Sequence, residues 1–457
     1  MEVWPGSAGR RYFHFMCGKD TMNLWADIDS NHLLPGRAEH GSARRMRRYS
    51  ERYILSSLRK WLLHDYVAAY CRSLGATRIF RRCYWLDALG IDPKAARVSS
   101  ALAEPALPAD EKGRKARKKS ATPVAQPPAL QPIVKLANGL AQESKPIALH
   151  GLVLATGSSK RAQKKSSNST AEPQLADIPK ESSILATNWL EIAPELLKEI
   201  AQAPAIFLLN PFGQTTFRYD DLAALYQRTV PTELCLFISH KQVGDLLTTA
   251  LHSVQSSSPS PTVAVLTALL RTDRWKSLAA DEGEIPQAVA KLIDLFIASM
   301  QRHFLLPVQR ISIPLALGPS VIEHAPYSLI FATRRQDSFM CMNDAVCLQN
   351  RCVYQQSYQG VLSEAWFAAQ ERKRYEQERQ ELYQAALQLG RTQRIRRWPD
   401  LRQQLLLTRF GQFTMQDYDI VIQELLVSRE VYCERRRQVR EGEEMPIPGN
   451  DDMLVWA

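Results

Sequence analysis

The segment that most limits what this chain can fold into is Ala205-Ile206-Phe207-Leu208-Leu209-Asn210-Pro211-Phe212-Gly213. An unbroken apolar run bounded by proline suits neither an amphipathic surface helix nor a half-exposed strand. It reads as a strand buried on both faces, as in parallel sheets. Pro211 lacks the N–H that a central strand donates, so the strand stops at Asn210. An amide and an aromatic ring thus stand where a buried strand ends, and in open α/β sheets that end borders the ligand crevice. Two readings of the tetrapeptide stay open. One is a tight strand-to-loop turn whose Asn is satisfied internally. The other is a site where the Asn210 oxygen and the Pro211 carbonyl accept from an exocyclic amine while Phe212 stacks on a base.

The rest of the chain repeats the strand-and-helix alternation. Apolar runs at 79–86, 184–187, 233–239 and 328–333 predict strands. Apolar residues at helical spacing predict a helix over 51–74, with Ile54, Leu55, Leu58, Leu62, Tyr66 and Val67 on one stripe and Gly75 as its stop. Further helices are expected near 190–200, 219–228, 243–251, 285–302 and 338–347. Asn188 stands where it would cap the first of these, and Asp220 and Asp221 suit the first turn of the second. Such alternation implies a mainly parallel sheet with helices on both faces.

Composition divides the 457 residues further. Residues 1–52 form a basic arm. Residues 53–95 and 184–355 carry the two parts of a Rossmann-like core. Between them, 96–183 is rich in Ala, Pro, Ser and Lys and holds the basic runs 114–119 and 160–165. That composition buries little apolar surface, so most of the segment is expected to be a disordered insert, with a short strand near 147–156. Residues 363–440 read as a helical module: a charged helix, two shorter helices, and a strand near 431–433, compatible with a winged helix. Thr414 with Asp417 makes a capping box in it. Residues 441–457 read as a tail.

The net charge of +11 favours an anionic partner, nucleic acid first. The eight cysteines include no Cys-x-x-Cys pair, and Cys341, Cys347 and Cys352 fit no common metal spacing; buried thiols in a reducing, cytoplasmic setting are expected. No apolar run approaches a membrane span, so no membrane partner is expected.

Several segments in this order resemble one family. Lys60-Trp61-Leu62-Leu63-His64-Asp65-Tyr66-Val67 resembles its leading helix, and Phe207 through Gly213 its apolar-Asp-Pro-Phe-Gly signature. Tyr327 through Thr333 resembles its Tyr-x-Leu-Ile-Phe-Ala-Thr strand, and Met342-Asn343-Asp344 its Met-Lys-Asp helix. On these segments the chain resembles the three-Cys-motif partner (TcmP) family, which looks like a class I, Rossmann-type methyltransferase with a C-terminal helical extension. The resemblance implies S-adenosylmethionine as cofactor and a three-Cys-motif protein as partner. It places Asp87 and Gly90 on the cofactor's amino-acid end and Asn188 on its adenine amine. Asn210, Pro211 and Phe212 would then orient the amine of a nucleic-acid base. The family's first loop carries several glycines, whereas this chain reads Asp87-Ala88-Leu89-Gly90-Ile91-Asp92 with one. Two functions follow: a methyltransferase acting on a base amino group, or a degenerate, non-catalytic subunit of the same fold that binds nucleic acid or its three-Cys-motif partner.

Overall fold

The computed structural model describes residues 50–91, 127–155, 182–185, 187–213, 215–255, 260–278, 285–318, 321–357, 364–435 and 447–457. They hold a seven-stranded sheet of β1 (Arg82–Asp87), β2 (Ala148–Leu154), β3 (Ser183–Leu185), β4 (Ala205–Leu209), β5 (Thr232–Ser239), β6 (Gln309–Gly318) and β7 (Val321–Ala332). The order is β3-β2-β1-β4-β5-β7-β6. The strands β1 to β5 are parallel, and β7 runs against both β5 and β6. The protein is a mixed α/β molecule with a mostly parallel, Rossmann-like sheet.

Burial on both faces explains the continuous apolar runs. Along β1, Cys83 and Trp85 enter one core while Tyr84 and Leu86 enter the other. Along β4, Ile206 and Leu208 oppose Ala205, Phe207 and Leu209. The first core is covered by α1 (Glu51–Trp61), a π-helical turn (Leu62–Val67), α2 (Ala68–Thr77), α3 (Gln131–Ala141) and α9 (Gln336–Ser357). The second is covered by α4 (Trp189–Glu199), α5 (Tyr219–Tyr226), α6 (His240–Gln255), α7 (Pro261–Leu270) and α8 (Ile285–Gln301).

Three expectations change. The leading helix does not stop at Gly75 but runs on to Thr77 and ends at Arg78, whose φ is 57°. Gly75 serves a close crossing instead, since a Cβ there would lie 2.7 Å from the Lys145 carbonyl oxygen. The segment 96–183 is not simply an unfolded insert. Its residues 127–155 contain α3 and β2, and β2 is an interior strand paired with both β1 and β3. Gly151 of β2 lets Ile133 of α3 approach, because a Cβ there would sit 2.5 Å from the Ile133 Cγ2. The basic runs 114–119 and 160–165 and the arm up to residue 49 lie outside the described residues. Third, 441–457 is more than a tail, since it supplies a strand of the C-terminal module.

That module comprises α10 (Glu364–Gln393), α11 (Trp398–Thr408), α12 (Met415–Val427) and the antiparallel pair β8 (Val431–Glu434) and β9 (Met453–Trp456). The Leu454 N–H donates to the Arg396 carbonyl at 2.7 Å, and the Trp456 indole donates to the Ile395 carbonyl at 2.7 Å. The capping box at Thr414 and Asp417 is present. The module shares the first core of the sheet, and α9 clamps its turn before α12. The amide of the fully buried Asn343 donates to the Phe413 carbonyl at 2.7 Å and accepts from the Gly411 N–H at 2.7 Å. Asp344 accepts from the Met415 N–H at 2.9 Å, and burial pushes its carboxyl up to about 6. The Met342-Asn343-Asp344 segment is thus a docking element for the module.

One carboxyl in the first core has a pH consequence. Glu233 of β5 is fully buried and accepts from the Tyr70 hydroxyl at 2.7 Å and the Ser338 hydroxyl at 2.6 Å. Burial pushes it up to about 7 against the partial relief of those hydrogen bonds. The folded state therefore holds a proton that the unfolded chain has released, and this group's contribution to stability falls as pH rises from the ordinary carboxylate range to about 7. We expect Glu233→Gln to flatten that part of the profile in thermal melts across this window. Parallel slopes for the two proteins would contradict the assignment.

Candidate functional site at the carboxyl edge of the sheet

Because β1, β3, β4 and β5 are parallel, the residues that follow them gather along one edge. Asp87 ends β1, Asn188 follows β3, Asn210 follows β4, and His240 follows β5. The expected site residues therefore share the edge where open α/β sheets bind ligands. Their side chains, however, are already committed.

Asp87 is 2 % exposed. Its carboxylate takes a forked pair of bonds from Arg59 of α1, 2.5 Å from Nε and 3.1 Å from Nη2. The same Nη2 donates to the Gly90 carbonyl at 2.8 Å, and the Leu89 N–H donates to Asp87 at 3.1 Å. Gly90 has φ 80°, the left-handed turn that only glycine adopts freely. Arg59 thus ties the tip of β1 to its following loop as a charge-assisted, bidentate pair. It reaches this point because the stripe of Ile54, Leu58 and Trp61 faces the core, leaving Arg59 on the flank of α1.

The tetrapeptide after β4 follows the first of its two readings. The Asn210 oxygen accepts from the Phe212 N–H at 3.1 Å, and its amide donates to Gln242 at 3.1 Å. The Pro211 carbonyl accepts from the Phe217 N–H at 2.9 Å. Phe212 does not line a crevice. It is 2 % exposed and packs edge-on against Phe296 of α8 at 5.3 Å between centroids. Asn188 is exposed and caps α4, its oxygen accepting from the Glu191 N–H at 3.1 Å. The β2 strand ends in Val153-Leu154 and is followed by Ala155, so among the described residues no carboxylate stands at its tip for ribose hydroxyls.

The polar pair beside them carries no signature in the amino-acid pattern. His240 Nε2 lies 2.8 Å from the Ser328 hydroxyl of β7, which also accepts from Arg310 at 3.3 Å. Burial first, and the Arg310 charge second, hold the imidazole below its ordinary value. A neutral His240 accepts the Ser328 hydroxyl proton, which closes a structural hydrogen-bond chain.

The edge does not fit S-adenosylmethionine. The acid that would hold its amino-acid end is neutralised by Arg59, Ala88 and Leu89 stand where the cofactor-binding loop carries glycine, and among the described residues no ribose acceptor follows β2. Among the described residues, no group of His, Cys, Asp and Glu has the makings of a metal site, and no helix is long and apolar enough to cross a membrane. Cys347 donates instead to the Gln412 carbonyl at 3.3 Å. No family model, no curated protein and no solved structure matches this chain.

Proposed function

We propose that the chain is a degenerate, non-catalytic subunit of methyltransferase-like fold that binds nucleic acid. The order β3-β2-β1-β4-β5-β7-β6, with the last-numbered strand antiparallel, supports the fold half of this reading: it is the sheet expected of a class I methyltransferase. The observation that carries the non-catalytic half is the Arg59–Asp87–Gly90 knot at the tip of β1. A transferase would need that acid free and the Asn210 and Pro211 acceptors open to an incoming amine, and both acceptors bind their own backbone. The charge of +11 supports a polyanionic partner.

A second reading concerns the C-terminal module. In a winged helix, α12 would occupy the position that enters the DNA groove. Its charged residues are Asp417, Asp419 and Glu424, each paired with an arginine of another helix. A helix with no cation of its own, whose carboxylates already hold the neighbouring arginines, offers phosphate no partner. This favours the module as a contact for a protein such as a three-Cys-motif partner.

The test is nucleic-acid binding by the purified protein across a salt series, with labelled S-adenosylmethionine present. Affinity is expected to fall by orders of magnitude between low and physiological salt, as phosphate contacts dictate. No label is expected on the nucleic acid. Label transfer would overturn the non-catalytic reading, and salt-independent binding would overturn the phosphate footprint.

A further inference from the structure

Between the first turn of α5 and the side of α7 lies an open cleft of about 740 Å3, lined by Arg218, Tyr219, Asp220, Ala264, Thr267 and Arg271. We propose that this cleft seats one nucleotide of a single-stranded nucleic acid, with Arg218 and Arg271 on the phosphate and the Arg271–Tyr219 stack beneath the base. The proposal rests on the nucleic-acid reading above and gives it a defined site.

The stack already exists. The Arg271 guanidinium sits 4.5 Å from the centre of the Tyr219 ring. A planar cation on an aromatic face offers its outer face to a base and its edge to a phosphate. Tyr219 is fixed from behind, its hydroxyl 2.8 Å from His303 Nε2, and His303 in turn stacks on Tyr226 at 4.5 Å. Among the described residues, neither Arg218 nor Arg271 has a carboxylate partner. The nearby acid Asp273 is taken up by Lys276 at 2.6 Å and by the Thr267 hydroxyl at 3.2 Å. Asp221 is spent on the Arg218 N–H. Asp220 is the acid in the lining, so the cleft keeps an excess of positive charge.

Size argues for a single strand. The volume falls in the range of small-ligand pockets, about 300–1,000 Å3, which suits a nucleotide. The cleft is bounded by the first turn of α5 and the side of α7. Ala264 and Ala268 line it with small side chains.

The experiment is fluorescence anisotropy of a labelled oligothymidine, about a dozen nucleotides long, at low salt. The key variant is Arg271→Gly. Arg271 has φ 52°, where glycine is favoured, so this change removes the guanidinium and keeps the backbone. It is expected to weaken binding about tenfold, the loss of one stacked base. Arg271→Lys, which keeps the charge and loses the plane, should fall between the two. Arg72→Ala, a surface change on α2, should match the wild type. If Arg271→Gly binds as the wild type does, the site is wrong and the nucleic-acid reading stands. If the wild type binds a duplex and not the oligonucleotide, this site falls and the nucleic-acid reading stands; if it binds neither, both fall. Equal competition by a duplex overturns the single-strand assignment, and equal competition by thymidine monophosphate makes this a free-nucleotide site.

Discussion

Removing residues 127–155 is expected to leave a chain with no cooperative unfolding transition. The segment carries β2, which pairs with β1 from Arg82↔Ala148 to Asp87↔Val153 and with β3 on its other side. Without it, among the described residues, β3 loses its one neighbour in the sheet and β1 becomes an edge strand. The loss reaches both cores: Leu149 and Val153 face one, Leu152 and Leu154 the other, and α3 adds Ile133 and Leu140. Each buried aliphatic side chain contributes about 1.5–3 kcal/mol, so these six together contribute about 9–18 kcal/mol, as much as the ~5–15 kcal/mol by which an ordinary domain is stable. Circular-dichroism melts of the deletion variant read this directly. A variant that melts like the full chain would show β2 to be peripheral.

That segment also shows what the amino-acid pattern could and could not reveal. The apolar run in β2 is legible as a strand, yet its surroundings average to a low-complexity composition. Its place in the middle of a sheet depends on pairing with a strand more than sixty residues earlier in the chain. The strands β1, β4, β5 and β7 and the helices α5 and α8 were legible because each is a long run of one period. The β6 strand, with Pro314 and two shifts of register, was not. The site was legible to the level of its edge: Asp87, Asn188 and Asn210 all end or follow parallel strands. Their partners were not legible. Which way Phe212 turns depends on Phe296 of α8, and the hold on Asp87 comes from Arg59, a helix residue that reads by itself as an ordinary solvated cation.

Arg59→Ala is expected to cost on the order of 3 kcal/mol, measured as a shift in the denaturant midpoint. The loss comes from the carboxylate it leaves behind. Asp87 is 2 % exposed, and without Arg59 it keeps one N–H donor, that of Leu89. Arg59 itself keeps about a fifth of its side chain in solvent, which trims the effect below that of a fully buried pair. The double change Arg59→Ala with Asp87→Ala should recover much of the loss, since it removes the stranded charge along with its partner. Additive losses in the two single variants and the double would mean that the pair does not act as a unit.

The non-catalytic reading of this protein turns on the tip of β1 being closed by its own arginine. Isothermal titration calorimetry of the full chain with S-adenosylmethionine tests that most directly. A closed tip predicts no heat of binding up to millimolar cofactor. Saturable binding in the micromolar range would mean that Arg59 yields to the cofactor and that the edge of the sheet is a working methyltransferase site.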